Sequence, residues 1–314
     1  MRHCFVIFVL FCSSFSSHCG RLAGDPSAVA DLEARSSLRI LTWNVSLRDF
    51  IRQERADTVR KHILNTLPHL VAFQEMTPEY YAMLESNPDF ASRYRLVPSR
   101  PEAIRGRLAI ATRLPLVSHR YAKLPGRMGR YAQIVEVEIE PAGAAENNGQ
   151  EPSRKERGTS SANPANLTVI NLHLESYLQD GPIRARQLRF IAPLIRKPAI
   201  ALGDFNFGDG AEARQERSAL PPGYRDLWKE RHGDRPGLTW NQEENPLALR
   251  FRFEGEKSRR LDYILLYESS WKLSNMTLVG TEKALQYQGE AIPPSDHYGL
   301  LAELLPPRSP DHTR

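Results

Sequence analysis

The stretch Ala199-Ile200-Ala201-Leu202-Gly203-Asp204-Phe205-Asn206 governs the reading of the whole chain. Its apolar first half reads as a short buried strand, and the strand runs straight into a glycine, an acid and an amide. Five more places repeat that arrangement of an extended run against polar chemistry. They are Trp43-Asn44, Gln74-Glu75, His173-Leu174-Glu175, Leu261-Asp262-Tyr263-Ile264 and Ser295-Asp296-His297. Side chains at the ends of separate strands can converge on one pocket. Asn44, Glu75, Asp204, Asn206 and Asp296 offer oxygen donors, a set that favours magnesium or manganese over zinc. The three cysteines, Cys4, Cys12 and Cys19, all fall within the first twenty residues, so residues beyond them can form neither a disulfide nor a cysteine zinc site.

Between these points, strands alternate with amphipathic stretches. Leu38 to Trp43, His69 to Phe73, Leu108 to Ala111, Gln133 to Ile139, Leu167 to Leu172, Ala199 to Leu202 and Leu261 to Leu266 read as strands. Arg52 to Leu67 reads as a helix with Val59, Ile63, Leu64 and Leu67 on one face, and Ile183 to Ile195 as another. Thr77-Pro78 carries the signature of a helix start: a capping hydroxyl, then proline at the first helical position.

In their order and spacing, the six motifs resemble the endonuclease/exonuclease/phosphatase superfamily, the DNase-I-like phosphodiesterases, over residues 38–305. The resemblance implies an α/β four-layer sandwich with two mostly antiparallel sheets, outer helices and an active site at one sheet edge. It also implies roles. Glu75 corresponds to the principal metal carboxylate, with Asn44 and Asp296 as further ligands for Mg2+ or Mn2+. Asp204 corresponds to the residue that activates or orients the attacking water, and Asn206 to the amide that holds the water and the phosphate. Asp262 orients His297, which donates to a phosphate oxygen, and His173 is a second phosphate contact. Two branches are equally in view. His173-Leu174-Glu175-Ser176, Asp226-Leu227-Trp228, Thr239-Trp240 and Pro294 to Leu301 are similar to the tyrosyl-DNA phosphodiesterase type, with Ser176 and Trp240 as substrate contacts. The chain departs from that type at Val45-Ser46-Leu47, where the branch has an Asp-Gly pair, and in Gly203-Asp204-Phe205-Asn206-Phe207-Gly208, which lacks the arginine that follows the branch's Gly-Asp-x-Asn motif. Arg260 to Ile264 is similar to neutral sphingomyelinases as well. Trp240 reads either as a pocket wall or as core packing.

The 314 residues are 41% hydrophobic and 25% charged, ordinary globular composition that excludes a chain disordered throughout, a collagen or a coiled coil. The net charge of +5 is concentrated. From Arg93 to Arg130 stand ten basic residues, nine of them arginine, against Glu102 alone. This segment reads as a surface for a polyanion, with Arg105 and Arg127 among its contacts, or as a solvated arginine face. Basic Arg2, an apolar run from Cys4 to Phe15, and Ala28-Val29-Ala30 make residues 1–30 read as a secretory signal peptide. That run is shorter than the roughly 20 residues a spanning helix needs, so the expectation is a secreted or periplasmic enzyme, with a short N-terminal membrane anchor as the alternative. Residues 141–165, poor in apolar side chains other than alanine, read as a disordered loop. The expected protein is a monomeric metal-dependent phosphodiesterase acting on nucleic acid or its ends. A phospholipid phosphodiesterase or a non-catalytic binding module on the same fold are the alternatives.

Overall fold

The computed structural model describes residues 37–139, 165–267 and 270–305. Segment 1–30 lies outside these residues, as does the expected loop 141–165 apart from Ala165, which opens a strand. In chain order, the first half runs β1 (Leu38–Asn44), α1 (Arg52–Thr66), β2 (Leu70–Gln74), α2 (Pro78–Glu85), α3 (Pro88–Ala91), β3 (Arg95–Val97), β4 (Ala109–Thr112), β5 (Leu116–Lys123), β6 (Tyr131–Ile139) and β7 (Ala165–His173). The second half runs α4 (Gly181–Ile191), β8 (Ala199–Asp204), α5 (Arg214–Ala219), β9 (Tyr224–Asp226), α6 (Leu227–His232), α7 (Pro246–Phe251), β10 (Asp262–Tyr267), β11 (Lys272–Val279), β12 (Leu285–Tyr287), β13 (Glu290–Ile292) and β14 (Gly299–Leu305).

Two six-stranded sheets form, in the orders β11-β14-β1-β2-β4-β3 and β5-β6-β7-β8-β10-β9. Each contains one parallel pair, β1 with β2 and β7 with β8, and is otherwise antiparallel. Ile40, Leu70 and Leu300 of the first sheet meet Val135, Val169, Ile200 and Ile264 of the second in one buried core. The outer face of the first sheet is closed by α1 and α2 through Val59, Ile63, Tyr80 and Leu84. Ala185, Leu188 and Ile191 of α4 close that of the second. These are the four expected layers. Full burial of one such aliphatic side chain is worth roughly 1.5–3 kcal/mol, which makes the inter-sheet core the main cohesive element.

The seven strands and two long helices expected from the sequence all form, whereas β3, β5, β9 and β11 to β14 were not expected. Most of these are edge or three-residue strands defined by pairing, and local chemistry adjusts the ends of the expected helices. Helix α1 ends at Thr66 because Leu67 turns left-handed and caps Ile63 O with its N–H at 2.8 Å. Thr77 caps α2 by accepting from Tyr80 N, as its sequence predicts. The expected helix Ile183 to Ile195 starts two residues earlier, since Pro182 suits a first turn, and stops at Ile191. Pro193 lacks the N–H to continue it, and a 3₁₀ turn, Ala192–Leu194, follows.

Strand direction is what assembles the site. Asn44 pairs with Gln74 at the C-terminal ends of the parallel pair β1/β2, and His173 with Asp204 at those of β7/β8. β10 and β14 run the other way, so Asp262, opposite Asp204, and His297, just ahead of β14, arrive at the same edge from their N-terminal ends. Beneath this edge the sheets are joined by a buried polar bridge. Asn171 Nδ2 donates to Phe73 O, Ala109 O and Gln133 Oε1, and Gln74 Nε2 donates to Asn171 Oδ1 at 2.8 Å.

Candidate active site

Asp204 is the hub. Its Oδ2 accepts from Asn44 Nδ2 at 3.0 Å, lies 3.3 Å from His173 Nε2 and 3.8 Å from His297 Nε2, while Oδ1 accepts from the Asn206 N–H at 2.9 Å. Burial raises its pKa, and His297, held cationic beside it, pulls the other way. His297 Nδ1 donates to Asp262 Oδ2 at 2.9 Å, which fixes the ring. Burial lowers the His297 pKa, but Asp262 and Asp204 outweigh it and the net shift is upward, so the imidazolium form prevails. Asp262 is aimed by Thr239, whose Oγ1 accepts the N–H groups of Leu261 and Asp262.

The tautomer of His173 follows from its neighbour. Arg130 Nη1 sits 2.9 Å from His173 Nδ1, and a guanidinium can only donate. His173 Nδ1 therefore accepts, and its proton is on Nε2, directed at Asp204. Burial, then the positive charge of Arg130, drives its pKa well below the ordinary value and keeps the ring neutral. Arg130 also donates to Ser176 Oγ.

The third group is acidic. Glu75, at a left-handed φ of 59°, accepts from Leu47 N through Oε2 at 2.7 Å. Burial, then the Asp296 carboxylate, raises its pKa. Asp296 is buried, with Oδ1 accepting from Ser295 Oγ, and Ser295 Oγ also reaches Asn44 O at 2.6 Å. Two acids that oppose each other's ionisation inside a protein match a divalent cation. Asn44, whose backbone oxygen accepts from Ser295 Oγ, has a side-chain oxygen that accepts from Ser46 N and keeps a second lone pair. Asp204, Asp262 and His297 also place ligand atoms within 4.8 Å of one another. In that trio His297 Nδ1 and Asp262 Oδ2 engage each other and Asp204 Oδ2 accepts from Asn44, while His297 Nε2 faces Asp204 and Asp262 Oδ1 has no hydrogen-bond partner among the described residues. Glu75 and Asp296 offer a second place for an ion, one with two carboxylates.

All eight catalytic and metal candidates thus share one edge. The four substrate candidates fare differently. Ser176 joins the site through Arg130. Trp240 is buried and packs edge-on against His297 at 5.0 Å, supporting that ring rather than walling an open pocket. Arg105 turns its guanidinium onto Glu102 O and Ile104 O of its own loop, and Arg127 pairs with Asp180. The basic segment is divided by register. Arg95 lies opposite Thr112, at the end of the sheet where β2 begins and away from Gln74, and Arg113 donates to Leu67 O at that same end. Arg130 and Arg107 lie near the site, both acting on the charge of His173. A charge run contiguous in sequence is not one contiguous rim.

Three residues were missed by sequence reasoning. Arg130 was counted only within the basic run, although its place directly before β6 and the glycines Gly126 and Gly129 ahead of it signal a shaped loop. Arg55 is fully buried and ties Val45 O, Ser46 O, Arg48 O and Pro294 O together, locking the Asn44 loop to the Ser295 loop. Its spacing of four from Val59 and eight from Ile63 put it on the buried helix face. Glu175 is also fully buried, and its Oε1 accepts from Arg127 N at 2.6 Å and Met128 N at 3.0 Å. A cleft of about 710 Å³ opens beside the site, lined by Phe207, Gly208, Trp228, Arg259 and Arg260. None of the catalytic candidates lines it, and Arg260 is committed to Asp209 and Asp226.

A family model, that of the endonuclease/exonuclease/phosphatase family, matches residues 41–297. The chain belongs to this family. Endonuclease/exonuclease/phosphatase membership makes it a phosphoester hydrolase, and the fold agrees with solved structures. Truncated Caenorhabditis elegans TDP2 is 21% identical with a TM-score of 0.64, over 88% of this chain and 99% of that one. D. rerio TDP2 complexed with a single strand DNA product is 23% identical with a TM-score of 0.63, over 86% and 99%. An endonuclease/exonuclease/phosphatase family protein from Bacteroides thetaiotaomicron is 16% identical with a TM-score of 0.60, over 87% and 98%. No curated protein sequence matches the chain significantly. Among the described residues, no helix is long and apolar enough to cross a membrane.

Proposed function

We propose that the protein is a divalent-cation-dependent phosphodiesterase that hydrolyses nucleic-acid ends, exported through its amino-terminal segment. The observation that carries the reading is the convergence on Asp204 of two histidines held by opposite partners, His173 by the Arg130 guanidinium and His297 by the Asp262 carboxylate. A bound phosphodiester would meet the Nε2–H of the His297 cation and the positive charge of Arg130, with the His173 Nε2–H turning from Asp204 to a phosphoryl oxygen once Asp204 has taken a proton, an array suited to the charge that builds on phosphoryl oxygens in the transition state. Asp204 accepts the proton of a water held near Asn206, whose Nδ2 spends a hydrogen on Leu174 O and leaves its carbonyl oxygen for the pocket. The water oxygen forms the new P–O bond as the bond to the leaving oxygen breaks. Asp262 holds His297 in place throughout. Glu75, Asp296 and Asn44 would hold magnesium or manganese, which supplies Lewis-acid stabilisation of the phosphoryl and leaving oxygens.

The fold shared with a TDP2 captured with a DNA product favours nucleic acid over lipid. Purified protein with magnesium would be offered bis-p-nitrophenyl phosphate, single- and double-stranded DNA, 5′-phosphotyrosyl DNA, sphingomyelin and inositol phosphates. Cleavage of the DNA substrates is expected. Turnover of sphingomyelin with inert DNA would replace this reading by the phospholipid one.

A further inference from the structure

Seven large apolar side chains are exposed among the described residues, and three of them, Met128, Tyr177 and Phe253, form a connected border along one side of the site. Met128 Sδ lies 3.9 Å from Arg130 Nη2, Arg130 donates to Ser176, Tyr177 follows Ser176, and the Tyr177 ring contacts the Phe253 ring at 5.1 Å and 56°. Tyr177 is 42% and Phe253 39% exposed, so each keeps a free face.

Both rings stand on fixed backbone. Buried Arg184 donates to Tyr177 O at 2.7 Å and to Glu175 O at 3.0 Å while paired with Glu216. Phe253 N donates to Glu256 Oε2, and that buried carboxylate is held in turn by Arg259. An ordered, solvent-facing aromatic pair with no partner of its own is a recognition feature rather than a core defect.

We propose that Tyr177 and Phe253 form a stacking platform for an unpaired nucleobase of the bound strand, giving the enzyme a preference for single-stranded or frayed ends. This rests on the phosphodiesterase reading above. Its ground is position: the platform begins one residue from Ser176, which accepts from the Arg130 proposed above to face the phosphate, and a base is joined to its phosphate through a single sugar. Bases present π-faces that stack on aromatic side chains irrespective of sequence, and a base inside a duplex has none free.

The test crosses ring removal with base removal. Wild type, Tyr177→Ala, Phe253→Ala and Tyr177→Phe are assayed with magnesium on a short single-stranded oligonucleotide and on the same strand carrying abasic residues at the cleaved end. Each alanine variant is expected to raise KM for the normal strand roughly five- to a hundredfold, the range for loss of one stacked base, with the abasic strand changing less than twofold. Tyr177→Phe keeps the π-face and stays near wild type. Equal losses on the two strands would overturn the platform. So would a selective loss on sphingomyelin vesicles, which would make the pair a membrane contact. If wild type cleaves neither strand, the nucleic-acid reading itself falls and the platform with it. Failure on the abasic control alone leaves that reading standing.

Discussion

Replacing Glu175 with alanine tests how the site is held together without touching any group placed against the phosphate. Its Oε1 accepts two backbone N–H bonds, from Arg127 and Met128, and the fit is close enough that a Cβ on Gly126 would lie 2.2 Å from it. The loop so pinned delivers Arg130 to His173 and Ser176, and the Glu175 charge helps keep buried Arg130 protonated. Hydrogen bonds to an ionised acceptor are worth roughly 1.5–3 kcal/mol each, so the pair contributes about 3–6 kcal/mol to local order. Without it the loop opens at Gly126 and Gly129. A displacement of about 1 Å at a catalytic contact costs on the order of 10²-fold in rate. Glu175→Ala should therefore lower kcat/KM on a small diester about a hundredfold in a protein that still unfolds cooperatively. Glu175→Gln, which keeps an acceptor oxygen, should recover most of that, and Gly126→Ala should reproduce the loss. In an Arg130→Ala background, Glu175→Ala should cost little more, because both changes remove the same contact. Activity within threefold of wild type, or additive losses in the double variant, would refute the reasoning.

EDTA should abolish activity and magnesium or manganese restore it, whereas Glu75→Gln should be partly rescued by excess magnesium; restoration by zinc alone would contradict the oxygen-donor assignment. Asn171→Leu removes the donor to Phe73 O and Ala109 O and one acceptor of Gln74 Nε2, which keeps Thr42 Oγ1 and Ala72 O, so chemical denaturation should show a loss of about 3 kcal/mol from the two orphaned carbonyls. His69 supplies a pH dependence: its Nδ1 accepts from Arg39 N, and burial, then Arg113 and Arg39, lower its pKa from 6.5 to about 4. A depressed histidine stabilises the fold fully above about pH 6.5 and loses that contribution as pH falls toward 4, so the stability gap between wild type and His69→Gln should be larger at pH 7.5 than at pH 5; a constant gap would exclude the effect. N-terminal sequencing of exported protein should place the mature start between about Gly20 and Asp31, and an intact Met1 in that fraction would remove the export reading.

Seven of the fourteen strands among the described residues, the two long helices and the six polar motifs were legible in the sequence because they depend on local periodicity and residue type. β3, β5, β9 and β11 to β14 were not, most of them edge or three-residue strands that only pairing with a neighbour defines. Asn44, Glu75, Asp204 and His297 each announce themselves within four or five neighbouring residues, and their family resemblance rests on that local spelling. What the sequence could not decide was where charged groups go once the strands are registered. Ten basic residues between Arg93 and Arg130 look like one surface. Sheet register sends Arg95 and Arg113 to the far end, folds Arg105 and Arg127 onto their own surroundings and turns Arg130 inward. The role of Glu175 was hidden for the same reason, since its partners stand 47 and 48 residues away on the β5–β6 loop. The protonation states are tertiary too. His173 and His297 are the same residue type beside the same aspartate, yet burial and then Arg130 hold one neutral while Asp262 holds the other charged. Composition and spacing fix which groups a chain possesses, but a pKa, a tautomer or an ion pair depends on distances and burial that exist only after distant segments have packed.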